Sequence, residues 1–394
     1  MTTPTHKRTT SLLINGAVLA GSLVVALLLT EIVLRVIGFS APVLWTYDDV
    51  TGSKLFARAV GWQRAEGEAF VTINRDGLRD REHSRTKPPN TFRIAILGDS
   101  MAEALQVPLE STFWSVLERQ LKSCKAFGDR DVEAINFGVS GYGTAQELLT
   151  FRHRASTYSP DVTVLAFYSG NDVRNNSKEL EPFKLRPFFN IQDGTLILDN
   201  SFLSNREYLS LKSNFDKRKT LFDLRTVQLI RKLKSAFEQR KDDQAGAARD
   251  ANIEPGLDDK VFLAPTAKAW KEAWRITERL IVAARDEVVA DGGRFLVLSI
   301  PIGIQVDPNP EVRNRFMRAL HVDDLWYPES RIRDLAQAEK VDAMTLGRSF
   351  QSYAEKNQVY LHGFKNTRLG TGHLNENGHK LIGESLAKHL CQSP

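Results

Sequence analysis

The hydrophobic pattern changes character three times along the chain. From Ser11 to Thr30 it runs SLLINGAVLAGSLVVALLLT, twenty residues without a charge. As a helix this stretch spans about 30 Å, the thickness of a bilayer core. It has no polar face to meet water, which argues against a helix packed in a soluble domain. The core of a cleaved signal peptide is usually shorter, roughly 7–15 residues, and no A-x-A site follows. The pattern therefore predicts an uncleaved anchor. Residues 41–90 are rich in polar and turn residues, such as NRDG at Asn74–Gly77 and KPPN at Lys87–Asn90, and read as a stalk leading into a domain. Within them Phe70–Ile73 has strand character.

From Phe92 the chain alternates between short apolar runs and helical spacing. Phe92–Gly98, Val132–Gly138 and Asp161–Gly170 read as strands, with helices after the first and from about Thr144. Phe113, Leu117 and Leu121 recur at helical intervals. This order predicts a parallel sheet covered on both faces. Residues 173–264 break the rhythm and read as an insertion on the sheet. They hold a hairpin turning at Asp193-Gly194, a helix over Leu221–Phe237, and a polar stretch, Glu238–Gly256, expected to be a loop. The rhythm then resumes with a helix carrying Trp270 and Trp274, a strand at Arg294–Pro301, a helix near Ile332–Lys340 and a strand at Val341–Leu346. A closing helix is marked by Ile382, Leu386 and Leu390.

Composition adds little. The chain has 394 residues, 42% hydrophobic and 26% charged, with a net charge of +5. These values fit a folded protein. No basic stripe forms, so no nucleic-acid partner is indicated. Lys7 and Arg8 precede the apolar stretch and favour a cytoplasmic N-terminus, which places the rest of the chain outside. Glu31 and Arg35, four residues apart, can pair near the headgroups. The predicted organisation is a cytoplasmic tail over 1–10, a transmembrane anchor over 11–38 in contact with the lipid bilayer, a stalk and lead-in over 39–90 and a folded domain over 91–394 with the insertion at about 173–264. The localisation is the cytoplasmic (inner) membrane, single-pass, with the domain on the periplasmic or extracellular side.

Candidate chemistry gathers at strand ends. ILGDSMAE, Ile96–Glu103, puts Ser100 where open α/β sheets place ligands, although Asp99 and Ser100 also suit a plain helix cap. A serine hydroxyl needs a nearby base to act as a nucleophile. NFGVSGYGTAQE carries glycines that let a backbone N–H approach a substrate oxygen. SGND ends the third strand with the carboxamide of Asn171, and GHLNENGH supplies His373. Gln146 and Glu147 either close the rim or begin a helix. Trp270 and Trp274 read as core, and His379 as structural. No His and Cys spacing suits a metal, and no cofactor is indicated.

The order Gly98-Asp99-Ser100, glycine block, Gly170-Asn171-Asp172 and His373 resembles the four blocks of the SGNH (GDSL-type) hydrolases, and of their bacterial membrane-anchored branch, over roughly residues 90–390. The resemblance implies a three-layer α/β/α, flavodoxin-like fold with a central parallel sheet. It implies Ser100 as nucleophile and His373 as base. It places the oxyanion on the N–H groups of Ser100 and Gly141 and the side chain of Asn171, each donor worth about 3 kcal/mol. Asp99 and Asp172 are supporting residues. The implied reaction is hydrolysis of an ester on a small molecule, lipid or glycan, with a lean toward acyl or acetyl esters of envelope glycans. Acyl transfer to a glycan, or a non-catalytic glycan-binding protein, are the alternatives.

One departure stands out. The family's aspartate before the histidine is missing, since residues 370 and 371 are Gly and Thr. Three options stay open: a Ser–His pair held by Thr371 or a carbonyl; an acid from elsewhere, such as Glu376, Asp307 or a carboxylate of the insertion; or a binding module without catalysis. In the implied fold the first and last helices lie side by side, so Cys124 and Cys391 are a candidate disulfide.

Overall fold

The computed structural model describes residues 5–245 and 257–392. The described residues form two compact units. One joins those up to Val43 with those from Asn214 to Ala245, and the other joins Leu44–Ser213 with the residues from 257 onward.

The first unit is built on helix α1, Thr5–Val36, in which Leu13–Val36 is long and apolar enough to cross a membrane. Glu31 and Arg35 pair at 2.8 Å.

The second unit starts with two small hairpins. They are β1, Trp45–Asp48, with β2, Gly52–Leu55, and β3, Val60–Gln63, with β4, Ala69–Thr72. The lead-in is thus not a free stalk. Leu44, Leu55, Val71 and Ile73 bury themselves against Leu105, Val139 and Tyr142 of the domain. Strands β5, Thr91–Gly98, β6, Asp131–Asn136, and β7, Val162–Tyr168, follow. Between them lie α2, Ser100–Glu103, α3, Phe113–Lys122, and α4, Thr144–His153. A single turn α5, Asp172–Asn175, leads to the hairpin of β8, Phe188–Gln192, and β9, Thr195–Asp199. Asp193 and Gly194 at its turn both have positive φ, as a tight two-residue turn requires. Then come α6, Arg206–Arg218, and α7, Arg225–Ala245, the latter in the first unit. The helix therefore continues through residues 238–245, where a loop was expected. Glu, Gln, Arg and Lys are good helix formers, and lack of large apolar residues does not end a helix. The rest of that expected loop, residues 246–256, lies outside the described residues.

The chain resumes with α8, Lys268–Ala290, β10, Arg294–Ile300, α9, Pro310–Leu320, α10, Tyr327–Glu339, β11, Asp342–Thr345, α11, Gly347–Asn357, and α12, Glu376–Gln392. The central sheet has the order β11-β10-β7-β5-β6 and all its pairs are parallel. Every residue of β5 and β7 is buried, the mark of strands covered on both faces. Helices α3 and α12 pack together, as do α4 and α8. The architecture is a central parallel sheet flanked by helices. Cys124, just beyond α3, and Cys391 in α12 form a disulfide with Cα atoms 6.0 Å apart. Trp270 and Trp274 are buried in α8.

Candidate active site

Ser100 opens the single turn of α2 directly after the central strand β5. Asp99 caps that turn, its Oδ1 accepting the N–H of Met101 at 2.8 Å. The turn packs so closely on the sheet that side chains are excluded around it. A Cβ on Gly98 would stand 2.7 Å from that of Ala102, and one on Gly138 would stand 2.8 Å from the backbone nitrogen of Glu103.

Polar side chains tie the neighbouring strand ends to this turn. Asn136, at the end of β6, donates to the carbonyl of Ala102 at 3.0 Å and accepts from the N–H of Gly138 at 3.0 Å. Asn171, after β7, donates through Nδ2 to Asp99 Oδ2 at 2.9 Å. A carboxamide nitrogen has a second hydrogen, so Asn171 keeps one donor for a ligand. Asp172 turns inward and accepts the N–H of Tyr168 at 2.8 Å, which fixes the loop that carries Asn171.

Gly141 sits on the glycine loop with φ +78°, in the left-handed region, and is exposed. The loop is held from two sides. The Gly141 carbonyl accepts from Asn175 Nδ2 at 3.2 Å and from Arg186 Nη1 at 2.6 Å. Ser140 donates its hydroxyl to Glu103 Oε2, and Trp45 Nε1 donates to the other oxygen of Glu103 at 2.9 Å. Burial pushes the Glu103 carboxyl up to about 7 against these hydrogen bonds. Gln146 and Glu147 lie in the first turn of α4, fully buried rather than on a rim. Gln146 accepts from Arg186 and donates to the carbonyl of Pro187 at 2.7 Å. Burial, with the charge of Asp99, holds Glu147 well above the usual carboxylate range, and burial, with the charges of Glu147 and Asp99, does the same for Asp172. Burial also raises Asp99.

His373 lies in the loop before α12. Its Nδ1 is 2.5 Å from Glu66 Oε2, and its backbone N–H donates to Glu66 Oε1 at 2.9 Å. None of the groups weighed from the sequence takes this position. Thr371 donates to the carbonyl of Arg368, Asp307 accepts the N–H of Asn309, and Glu376 begins α12. The acid comes from the lead-in, 307 residues away in sequence, at the tip of the β3–β4 hairpin. No local spacing could have revealed it. The one available signal was the pair of short apolar runs on either side of Arg64–Glu68, which makes a hairpin tip of the sequence around Glu66.

That tip is docked. Asn366 accepts the N–H of Gly67 at 3.0 Å and donates to the carbonyls of Gly67 at 3.0 Å and Arg64 at 3.2 Å. A Cβ on Gly67 would strike the carbonyl of Gln106, just beyond the Ser100 turn. The hairpin tip therefore touches both the histidine loop and the segment following the Ser100 turn. Burial keeps His362 neutral, down to about 4, and its Nδ1 pairs with the carbonyl of Gly372 at 2.9 Å. His379 is buried, stacks on Phe113 at 5.9 Å and is pushed down to about 3 by burial.

Burial opposes the charged form of His373. The hydrogen bond and charge of Glu66, joined by the fields of Asp99 and Glu103, outweigh it and raise the imidazole above its ordinary value. Burial raises Glu66, but the contacts with His373 prevail and hold the carboxylate below its usual range. With Nδ1 given to Glu66, Nε2 is the nitrogen left to serve as a base. The fields of Asp99 and Glu103 reach His373 from either side of Ser100 in sequence.

No family model matches the chain, and no curated protein matches it. Among solved structures it is similar to an acetyl xylan esterase at 15% identity and TM-score 0.37, over 76% of this chain and 100% of that one. It is also similar to a catalytic mutant of an acetylxylan esterase from Geobacillus stearothermophilus at 9% identity and TM-score 0.39, over 76% and 94%. A third likeness, at 11% identity and TM-score 0.36 over 76% and 99%, is to a lipolytic protein of the G-D-S-L family from Desulfitobacterium hafniense.

Proposed function

We propose that the chain is a serine esterase of the SGNH type, with Ser100 as nucleophile and a His373–Glu66 pair as its base. The observation that carries this reading is the bidentate hold of Glu66 on His373, through ring and backbone. A carboxylate in that position fixes the tautomer that leaves Nε2 without a proton, and stabilises the imidazolium formed when Nε2 takes the serine's proton.

In the proposed reaction Ser100 Oγ attacks the ester carbonyl as His373 Nε2 takes its proton. The oxyanion is met by the N–H groups of Ser100 and Gly141 and the free hydrogen of Asn171. His373 returns the proton to the leaving alcohol, and an acyl-serine remains. Water then attacks that ester, again with His373 as base, and carboxylate leaves as the serine regains its hydrogen. Asp99 and Asp172 support the site by holding Met101, Asn171 and Tyr168. The acyl group is proposed to belong to an envelope glycan. Helix α1 is proposed to anchor the chain in the cytoplasmic membrane with this site outside, where the environment suits the Cys124–Cys391 disulfide.

The test is hydrolysis of aryl acetates and longer aryl esters by the full chain in detergent or vesicles, beside Ser100→Ala and His373→Ala. Activity in the parent that falls by at least about 10³-fold in both variants, with unchanged melting temperatures, supports the reading. Equal activity in all three chains overturns it.

A further inference from the structure

Helix α7 carries an exposed apolar face that the esterase reading does not use. From Ile230 to Phe237 its residues are solvent-exposed: Ile230 is 63% exposed, Leu233 62% and Phe237 62%. At 3.6 residues per turn these three fall on one side of the helix with Leu229 and Ala236. Lys232 and Lys234 flank that side, and Arg231 and Ser235 lie opposite.

The start of this helix is fastened to α1. Glu31 accepts the N–H groups of Arg225 at 3.0 Å and Thr226 at 2.9 Å, and the Thr226 hydroxyl at 3.1 Å. It thereby caps two N–H groups that have no partner within α7. Gln228 accepts the N–H of Ala41 at 3.0 Å, Arg225 reaches Ser40 Oγ at 3.1 Å, and the Lys232 ammonium lies 5.7 Å from the Phe39 ring. All these partners sit at the C-terminal end of the apolar span, which ends at Val36. Glu31 precedes that end by five residues, about 8 Å along the helix axis.

We propose that α7 lies in the headgroup layer of the bilayer, with Ile230, Leu233 and Phe237 turned toward the acyl chains. This rests on the reading of α1 as a membrane span. The occupant of the apolar face is the same bilayer that α1 crosses, because α7 is capped and bonded at the level where α1 leaves it. An apolar side bordered by lysines is the pattern of a helix lying in a membrane interface, where the ammonium groups meet anionic headgroups. The bilayer then holds the chain at two places, along α1 and along the face of α7.

The experiment uses the full chain in vesicles of phosphatidylethanolamine and phosphatidylglycerol. Carbonate extraction comes first: release of the chain overturns the anchor reading and this inference together. With the chain retained, nitroxides are attached singly at Ile230→Cys, Leu233→Cys and Ser235→Cys, the native disulfide being left intact. Collision with dissolved oxygen and with a water-soluble nickel chelate is then compared. The expected result is a several-fold higher ratio of oxygen to nickel accessibility at 230 and 233 than at 235. Equal ratios at all three positions, or shielding of 230 and 233 from both reagents as under a protein partner, overturn the placement of α7 while leaving the anchor intact.

Discussion

Glu66 makes its case at a single pair of oxygens. One accepts the ring Nδ1–H of His373 and the other its backbone N–H, so the side chain orients both ring and loop. In Glu66→Gln one amide oxygen remains for the backbone, and the ring then faces an N–H₂ donor. That arrangement favours the tautomer with its proton on Nε2, which is unable to accept one from Ser100. The expected loss in kcat is about 10²–10⁴-fold with little change in KM. The pH profile gives a second readout. A base must be unprotonated, and the raised pKa of His373 means that activity climbs with pH through a midpoint above the ordinary histidine value. Without the charge of Glu66 the acid limb of kcat/KM moves to lower pH, measurable on the residual activity. An acid limb that stays in place would show that Glu66 does not set the histidine's charge.

At the scale of elements, the β3–β4 hairpin acts as the arm that delivers the carboxylate, and Asn366 is its catch. Asn366→Ala removes one acceptor and two donor contacts from the tip while leaving Glu66 and His373 in the chain. These bonds are partly exposed, so stability falls by only about 1–2 kcal/mol. Displacement of the acid by a fraction of an ångström costs more in rate, roughly 10–100-fold in kcat, because geometry and not binding is lost. Steady-state kinetics beside a thermal melt separate the two. The hairpin is also where reading the sequence fell short. Strands β5, β7 and β10 were legible because burial on both faces makes them continuous apolar runs such as VTVLAFY. Strand β4 was legible as the apolar run Phe70–Ile73, but β1 to β3 have four residues each and only half-buried patterns. Their polar halves read as stalk, and their packing on Leu105, Val139 and Tyr142 is a tertiary matter. Ser100, Gly141, Asn171 and His373 could be proposed from the sequence because each follows a strand or precedes a helix in a local motif. Glu66 was hidden because the tip of a short hairpin carries no motif of its own. Arg186 was hidden likewise, a lone arginine in the insertion whose role appears only when its guanidinium meets the Gly141 carbonyl.

Across the whole molecule, the last helix connects the site to the far edge of the fold. Helix α12 begins three residues after His373 and carries Cys391 near its other end, roughly 22 Å away along its axis. The Cys124–Cys391 bond joins positions 267 residues apart, and the loop it closes holds β6, β7, β10 and β11 with Asn171 and His373, while β5, Glu66 and Ser100 precede it. Closing so long a loop restricts the unfolded chain far more than it reshapes the folded one, with a gain of about 3–5 kcal/mol. The consequences for stability and for catalysis therefore separate. In Cys124→Ser combined with Cys391→Ser the melting temperature is expected to drop by roughly 6–15 °C. At 25 °C kcat and KM should be unchanged, because α3 and α12 remain packed along their length and Glu66, not the disulfide, positions His373. Calorimetry of the oxidised parent, the reduced parent and the double variant checks this. The reduced parent and the variant should melt together, below the oxidised chain. A loss of kcat in the variant at a temperature where it is fully folded would mean that α12 transmits strain from the cystine to the histidine loop.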